Sequence, residues 1–281
     1  MRKSWIILGA LFAGVIALGL FVWLKPPKIQ TVTHALSSLK SADARTVRVL
    51  RRGKPLATLE KRNAEWFMTE PIKAPADGFQ ILRLLAVLDA KSALRYPVSD
   101  AAKFELDALS APQTEIIIND QRFAFGAVNT VTREQYVLSQ NQIHPLDPTF
   151  GAAVPTDAYA LLRRSVLAPG DTPVRFDFGA FAVDYDSKKW NTSPPAGEVS
   201  QDDFNRWVAQ WREGSGLRTE LADQRKPASD INITLKNGAR ITLGVVQTAP
   251  ELILRRADLG LQFIFTGDVG KLMISPPAAR R

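Results

Sequence analysis

The sequence predicts an α+β protein: an N-terminal transmembrane helix followed by two tandem repeats, each an antiparallel β-sheet meander with one packed amphipathic helix. Three observations predict it. Trp5 to Leu24 form a run of 20 residues without a charge. Two stripes of large apolar residues, Ile81, Leu84, Leu85, Leu88 and Phe204, Trp207, Val208, Trp211, share the spacing i, i+3, i+4, i+7. Each stripe is preceded by alternating strand residues and followed by hairpins whose turns correspond. A stripe at helical spacing gives a helix one face to bury on a sheet.

The charge-free run comes first in the chain. At about 1.5 Å per residue, 20 helical residues cover ~30 Å, the thickness of a bilayer's hydrocarbon core. Trp5 and Trp23 stand at its ends, where indole rings favour the headgroup zone. Arg2 and Lys3 precede it, and Lys25-Pro26-Pro27 stops it, since proline cannot continue a helix. A cleavable signal peptide has an apolar core of about 7–15 residues and a small-residue cleavage site. This run is longer and leads straight into Trp-Leu-Lys-Pro-Pro. Residues 1–25 therefore read as a cytoplasmic tip and an uncleaved anchor, with Arg2, Lys3 and the terminal amine orienting the N-terminus inside. Residues 26–45, with two prolines and a Ser/Thr/Ala-rich stretch, read as a stalk carrying a helical turn around His34–Leu39.

The first repeat is expected over residues 46–150 and the second over 173–275. Each opens on an alternating strand, Val47 and Val49 in one, Val174, Phe176 and Phe178 in the other. A return strand follows and leads to a tryptophan and a proline turn, Trp66 with Pro71 and Trp190 with Pro194. Asp77 with Gln80, and Ser200 with Asp203, have capping-box spacing just before the stripes. Each repeat then closes with hairpins. Asn119-Asp120 turns one, Asn237-Gly238 gives a type I′ signal in the other, and Gly126 aligns with Gly244. Between the repeats, residues 151–172 form a linker in which Thr156 to Leu167 reads as a connecting helix ended by Pro169-Gly170. Residues 276–281 are a tail.

Composition excludes several chemistries. There is no cysteine, hence no disulfide, thiolate metal site or cysteine nucleophile. The net charge of +8 includes four basic residues flanking the apolar run, so the remainder is only about +4, too mild to argue for nucleic acid. The pairs Arg51-Arg52, Arg163-Arg164 and Arg255-Arg256 read as solvated edges. His34 and His144 are the only histidines, and neither has metal-ligand spacing. Gly214-Ser215-Gly216 reads as a helix-ending turn, not a nucleotide loop. Asp184 and Asp186 alternate on a predicted strand with Asp177 out of phase. A carboxylate pair can hydrolyse glycosides, but this one reads as a solvated face. Trp207 and Trp211 lie on the buried stripe and do not read as a sugar platform. No catalytic, cofactor-binding or metal residue is assigned.

Trp66, Glu70-Pro71, Pro75-Ala76-Asp77, Phe125-Gly126 and Tyr136-Val137-Leu138 resemble a bacterial family of unknown function built from repeated β-rich modules. The segment Phe104 to Pro112 lacks a glycine that members often carry there. Members are typically single-pass and envelope-facing, and some are encoded beside gliding-motility-type ABC transporter components. The resemblance implies a bacterial inner-membrane protein with its body in the periplasm and no established activity. The expected function is thus a non-enzymatic interaction or accessory protein, held in the membrane through Trp5 to Leu24, with a protein partner, no nucleic acid and no small-molecule cofactor. A glycan- or lipid-binding module is the alternative, and an envelope hydrolase a third reading.

Overall fold

A computed structural model describes residues 12–16, 19–20, 33–106, 112–195 and 197–278. The expected anchor lies mostly outside these residues. Its described part is helical over 12–16 and 19–20. Among the described residues no helix is long and apolar enough to cross a membrane. The transmembrane helix and the single-pass inner-membrane placement are corrected on that finding.

The α+β class is corrected too, because the described chain is mostly β, in three antiparallel sheets. In the first half these strands are β1 (His34–Ala35), β2 (Thr46–Arg51), β3 (Lys54–Arg62), β4 (Glu65–Glu70), β5 (Ala74–Pro75), β6 (Lys91–Ser92), β7 (Tyr96–Pro97), β8 (Thr114–Ile118), β9 (Gln121–Val128), β10 (Gln135–Ser139) and β11 (Gln142–Leu146). The second half has β12 (Pro173–Asp177), β13 (Ala182–Tyr185), β14 (Trp190–Ser193), β15 (Arg218–Leu221), β16 (Ser229–Leu235), β17 (Arg240–Gln247), β18 (Leu252–Arg256) and β19 (Leu261–Phe265). Three α-helices of eight residues or more accompany them among the described residues: α1 (Gly78–Leu85), α2 (Gln201–Glu213) and α3 (Gly267–Ile274).

The two large sheets run β5-β4-β3-β2-β8-β9-β10-β11-β7 and β14-β13-β12-β16-β17-β18-β19-β15. Seven consecutive strands thus follow one path in each: β4-β3-β2-β8-β9-β10-β11 corresponds to β14-β13-β12-β16-β17-β18-β19. Register agrees as well. Val49 faces Ala57 and Ile116, as Phe176 faces Val183 and Ile233. We call the two halves lobes.

Local chemistry explains the helices. Asp77 accepts the N–H groups of Phe79 and Gln80 and starts α1, and Ser200 with Asp203 forms a reciprocal capping box at α2. All eight stripe residues are buried. In α1 the stripe outlasts the α-helix, Leu88 lying on the 3-10 turn Ala86–Asp89. Helix α3 and strand β15, neither signalled by periodicity, complete the second lobe.

Two connecting segments differ from expectation. The stalk is not free from residue 33 onward: β1 pairs with β6, Leu36 is buried, and its N–H donates to Ala90 O. The linker is not a helix over Thr156 to Leu167, because only Ala158–Leu161 coils, as a 3-10 turn. The rest is non-helical, its backbone groups bonding outward to both lobes. Arg163 N–H donates to Pro75 O and Leu161 O accepts from Asp77 N–H in the first lobe, while Arg164 O accepts from Gly216 N–H in the second. Leu161, Leu162, Val166 and Leu167 are buried, and one apolar cluster runs through the linker from Val47 to Met273.

Candidate functional site: the cleft between the lobes and the outer faces

Where the linker leaves the first lobe it borders a cleft of about 570 Å³ between the lobes. Trp66 and Ala76 line its first-lobe side, and Arg212, Glu213 and Ser215 the other. Arg163 and Arg164, consecutive on the linker, reach to opposite neighbours. Arg163 Nη2 lies 3.0 Å from Glu65 Oε2, and Arg164 Nε lies 3.4 Å from Asp77 Oδ2. The Arg164 contact is an ion pair without a well-aligned hydrogen bond.

Three guanidiniums and three carboxylates thus face the cleft, and four of the six are used in holding the linker to the first lobe. Trp66 is only 6% exposed and offers no ring face to a ligand. Gly216 is pressed between carbonyls, and a Cβ there would lie 2.9 Å from Ile264 O and 3.1 Å from Arg164 O. Gly214 is the C-cap residue of α2, so the Gly-Ser-Gly stretch ends a helix and admits the linker. The cleft is built as a joint.

The other candidate residues are scattered. Asp177 and Asp184, expected out of phase, both grip Arg175, at 3.0 and 2.5 Å. Those bonds, the one to Asp177 foremost, raise the Arg175 pKa. Asp186 lies beyond β13 in a turn, accepting the N–H groups of Lys188 and Lys189. Its carboxyl is held below the ordinary range by the Lys189 and then the Lys188 amide, the opposite of what a catalytic acid requires. Trp190, Trp207 and Trp211 are all under 10% exposed and pack around Phe176.

His144 is 4% exposed and shares a 2.9 Å hydrogen bond with Ser92. Ser92 Oγ–H donates to Leu94 O at 2.5 Å, so its oxygen accepts from His144 Nδ1–H. Burial first, then the charges of His34 and Arg95, lower the His144 pKa. This arrangement ties β11 to β6 beside the entry of β1, and the serine proton is already committed to a carbonyl.

Two of the three basic pairs are not solvated edges. The side chains of Arg163, Arg255 and Arg256 are 15%, 14% and 14% exposed, and each pairs with a carboxylate. Sequence reasoning missed them because nothing local marks which basic residue a distant element will cover. Arg51-Arg52 alone stays at the surface, at the tip of the β2–β3 hairpin.

The edge strands are short. β5 and β7 have two residues each and β14 and β15 four. Leu162 bridges beside β5 at Ala76, and the Gln201 side chain bonds both the N–H and the carbonyl of Trp190 on β14. These devices blunt edges that would otherwise accept a strand.

No family model, curated protein or solved structure matches the chain.

Proposed function

We propose that this protein is a non-enzymatic interaction scaffold, two lobes joined rigidly so that their outer sheet faces are presented to a protein partner. The observation that supports the reading most is the fusion at the linker: its backbone bonds to both lobes and its side chains continue one core. The joint holds Arg163 and Arg256 largely covered and seats the linker against Gly216, and its product is a fixed relation between two surfaces. A partner recognising both lobes loses little conformational entropy when the lobes are already fixed. Crosslinking of the full chain in cells, followed by mass spectrometry of the adducts, tests the proposal. Reproducible crosslinks from exposed lysines of both lobes to another polypeptide are expected. A chain that yields only intramolecular crosslinks would contradict it.

A further inference from the structure

The outer faces of the two lobes carry one arginine at the same place. Arg48 on β2 faces Thr58 and Ile117, and Arg175 on β12 faces Asp184 and Thr234. The registers make Thr58 the counterpart of Asp184. Two residues along the strand, Leu50 stands where the second lobe has Asp177. Arg175 is therefore clamped by two carboxylates, while Arg48, in the same backbone setting, has neither. Arg48 is exposed, and no hydrogen bond or ion pair of its side chain occurs among the described residues.

The carboxylates near Arg48 are engaged elsewhere. Glu60 pairs with Arg62 at 3.1 Å, Glu70 accepts from Thr58 Oγ1 at 3.1 Å, and Glu115 pairs with Arg122 at 2.6 Å. Beside Arg48 the face offers the half-buried Leu50 and Ile117, neither of which joins the core.

The hairpin around this face is the chain's main concentration of charge. Residues 45–62 hold seven basic residues against the single acid Glu60, so they carry +6 of the net +8. The matching stretch of the second lobe, 172–188, has two basic residues against three acids. At the hairpin tip, Arg52 and Gly53 have φ of 48° and 72° and close the turn, which pairs Arg51 with Lys54 on the side of the strand opposite Arg48. Neither of those side chains has a carboxylate partner among the described residues.

We infer that the outer β2–β3 face of the first lobe, centred on Arg48, is a docking surface for an acidic polypeptide segment whose carboxylates take the places that Asp177 and Asp184 fill around Arg175. The inference rests on the interaction reading above and names the chemistry of the partner. A polypeptide fits because the second lobe shows the geometry filled by side-chain carboxylates, Asp177 from the arginine's own strand and Asp184 from the flanking one. Planar guanidinium and carboxylate groups match as forks, and such pairs set orientation and association rate at an interface.

The test uses the full chain and a fluorescent poly-L-glutamate peptide, read by anisotropy at low and at moderate salt. Binding that weakens as salt rises is expected. Arg48→Glu should weaken it by about tenfold or more, which corresponds to the loss of roughly one good charge pair. A second variant guards against misfolding. Leu50→Asp with Thr58→Asp copies the second lobe's clamp into the first and removes no basic residue, yet should abolish peptide binding to a similar extent. Peptide binding unchanged in both variants would overturn the inference. So would tighter binding to a single-stranded oligonucleotide, or to vesicles of phosphatidylglycerol, than to the peptide. If Arg48→Glu leaves the cellular crosslinks intact, this face is wrong while the scaffold reading survives. If the wild-type chain gives no crosslinks, the scaffold reading itself fails.

Discussion

In the first lobe, α1 buries Ile81, Leu84 and Leu85 in the same apolar cluster as Val47, Val49 and Ile116; in the second, α2 packs Trp207 and Trp211 against Phe176. Trp207 and Trp211 meet the Phe176 ring at 4.8 and 5.5 Å. One strand order thus accepts either an aliphatic or an aromatic filling, because a sheet asks for volume and polarity at its inner face and leaves shape to be matched by the helix. The outer faces differ in the other direction. The aromatic lobe neutralises its arginine internally, and the aliphatic lobe leaves its arginine for something else. Identical paths with complementary surface chemistry let one fused scaffold offer two different faces.

The largest expected effect tests whether the two fillings form one core. Trp211 is fully buried, and truncation of such a residue costs about 3–5 kcal/mol. Leu84→Ala in the first lobe should cost about 2–4 kcal/mol by the same reasoning. In urea titrations both variants are expected to lower a single shared midpoint. A Trp211→Ala protein that keeps an unshifted transition for the first lobe would break the comparison.

The matched glycines give the next effect. A Cβ on Gly126 would sit 2.3 Å from the Phe104 carbonyl oxygen, whereas one on Gly244 would sit 2.6 Å from Pro227 Cγ. Gly126 thus lies under a backbone segment and Gly244 under a proline ring. Gly126→Ala is expected to lose about 2 kcal/mol and Gly244→Ala about half that, since overpacking costs follow what can move. Thermal melts of the two variants measure it, and the reverse order would show the coverings to be misjudged.

Protonation separates the lobes further, because the only buried histidine is in the first. Its folded pKa is lowered from the ordinary 6.5 by burial, so the folded state prefers the neutral ring. That contribution is fully present above the unfolded value of 6.5 and is lost as pH falls from there through the lower folded value. Wild-type melting temperature should fall across this window, and His144→Gln should flatten that part of the profile. An equal pH slope in the variant would assign the effect elsewhere.

The smallest effect concerns the paired arginines. Arg175→Ala breaks two partly exposed contacts and should cost at most about 1 kcal/mol, whereas Arg48→Ala should change stability by no more than about 0.5 kcal/mol. Equal losses would remove the distinction on which the free face depends.

Much of this was legible along the chain. The stripes, the caps at Asp77 and Ser200, and the turns at Asn119 and Gly238 are local signals, since each depends on neighbours within about four residues. Strand β15, helix α3 and the non-helical linker were not. Their conformations follow from what covers them: Thr219 Oγ1 donates to the Arg163 carbonyl, and Gly270 leaves room for Leu252. Asp186 illustrates the same limit, because two positions of strand alternation past Asp184 the chain had already turned. The apolar run at Trp5 to Leu24 predicts a span from its length and its flanking residues, whereas among the described residues no helix is long and apolar enough to cross a membrane.

A core continuous through the linker makes the two lobes one cooperative unit. Hydrogen exchange followed by mass spectrometry across a urea series measures that directly, comparing the β2 and β8 amides with those of β12 and β16. The fused core predicts that both sets exchange through one opening, with the same free energy and the same urea dependence. Exchange of either sheet through a separate, shallower opening while the other stays protected would contradict it.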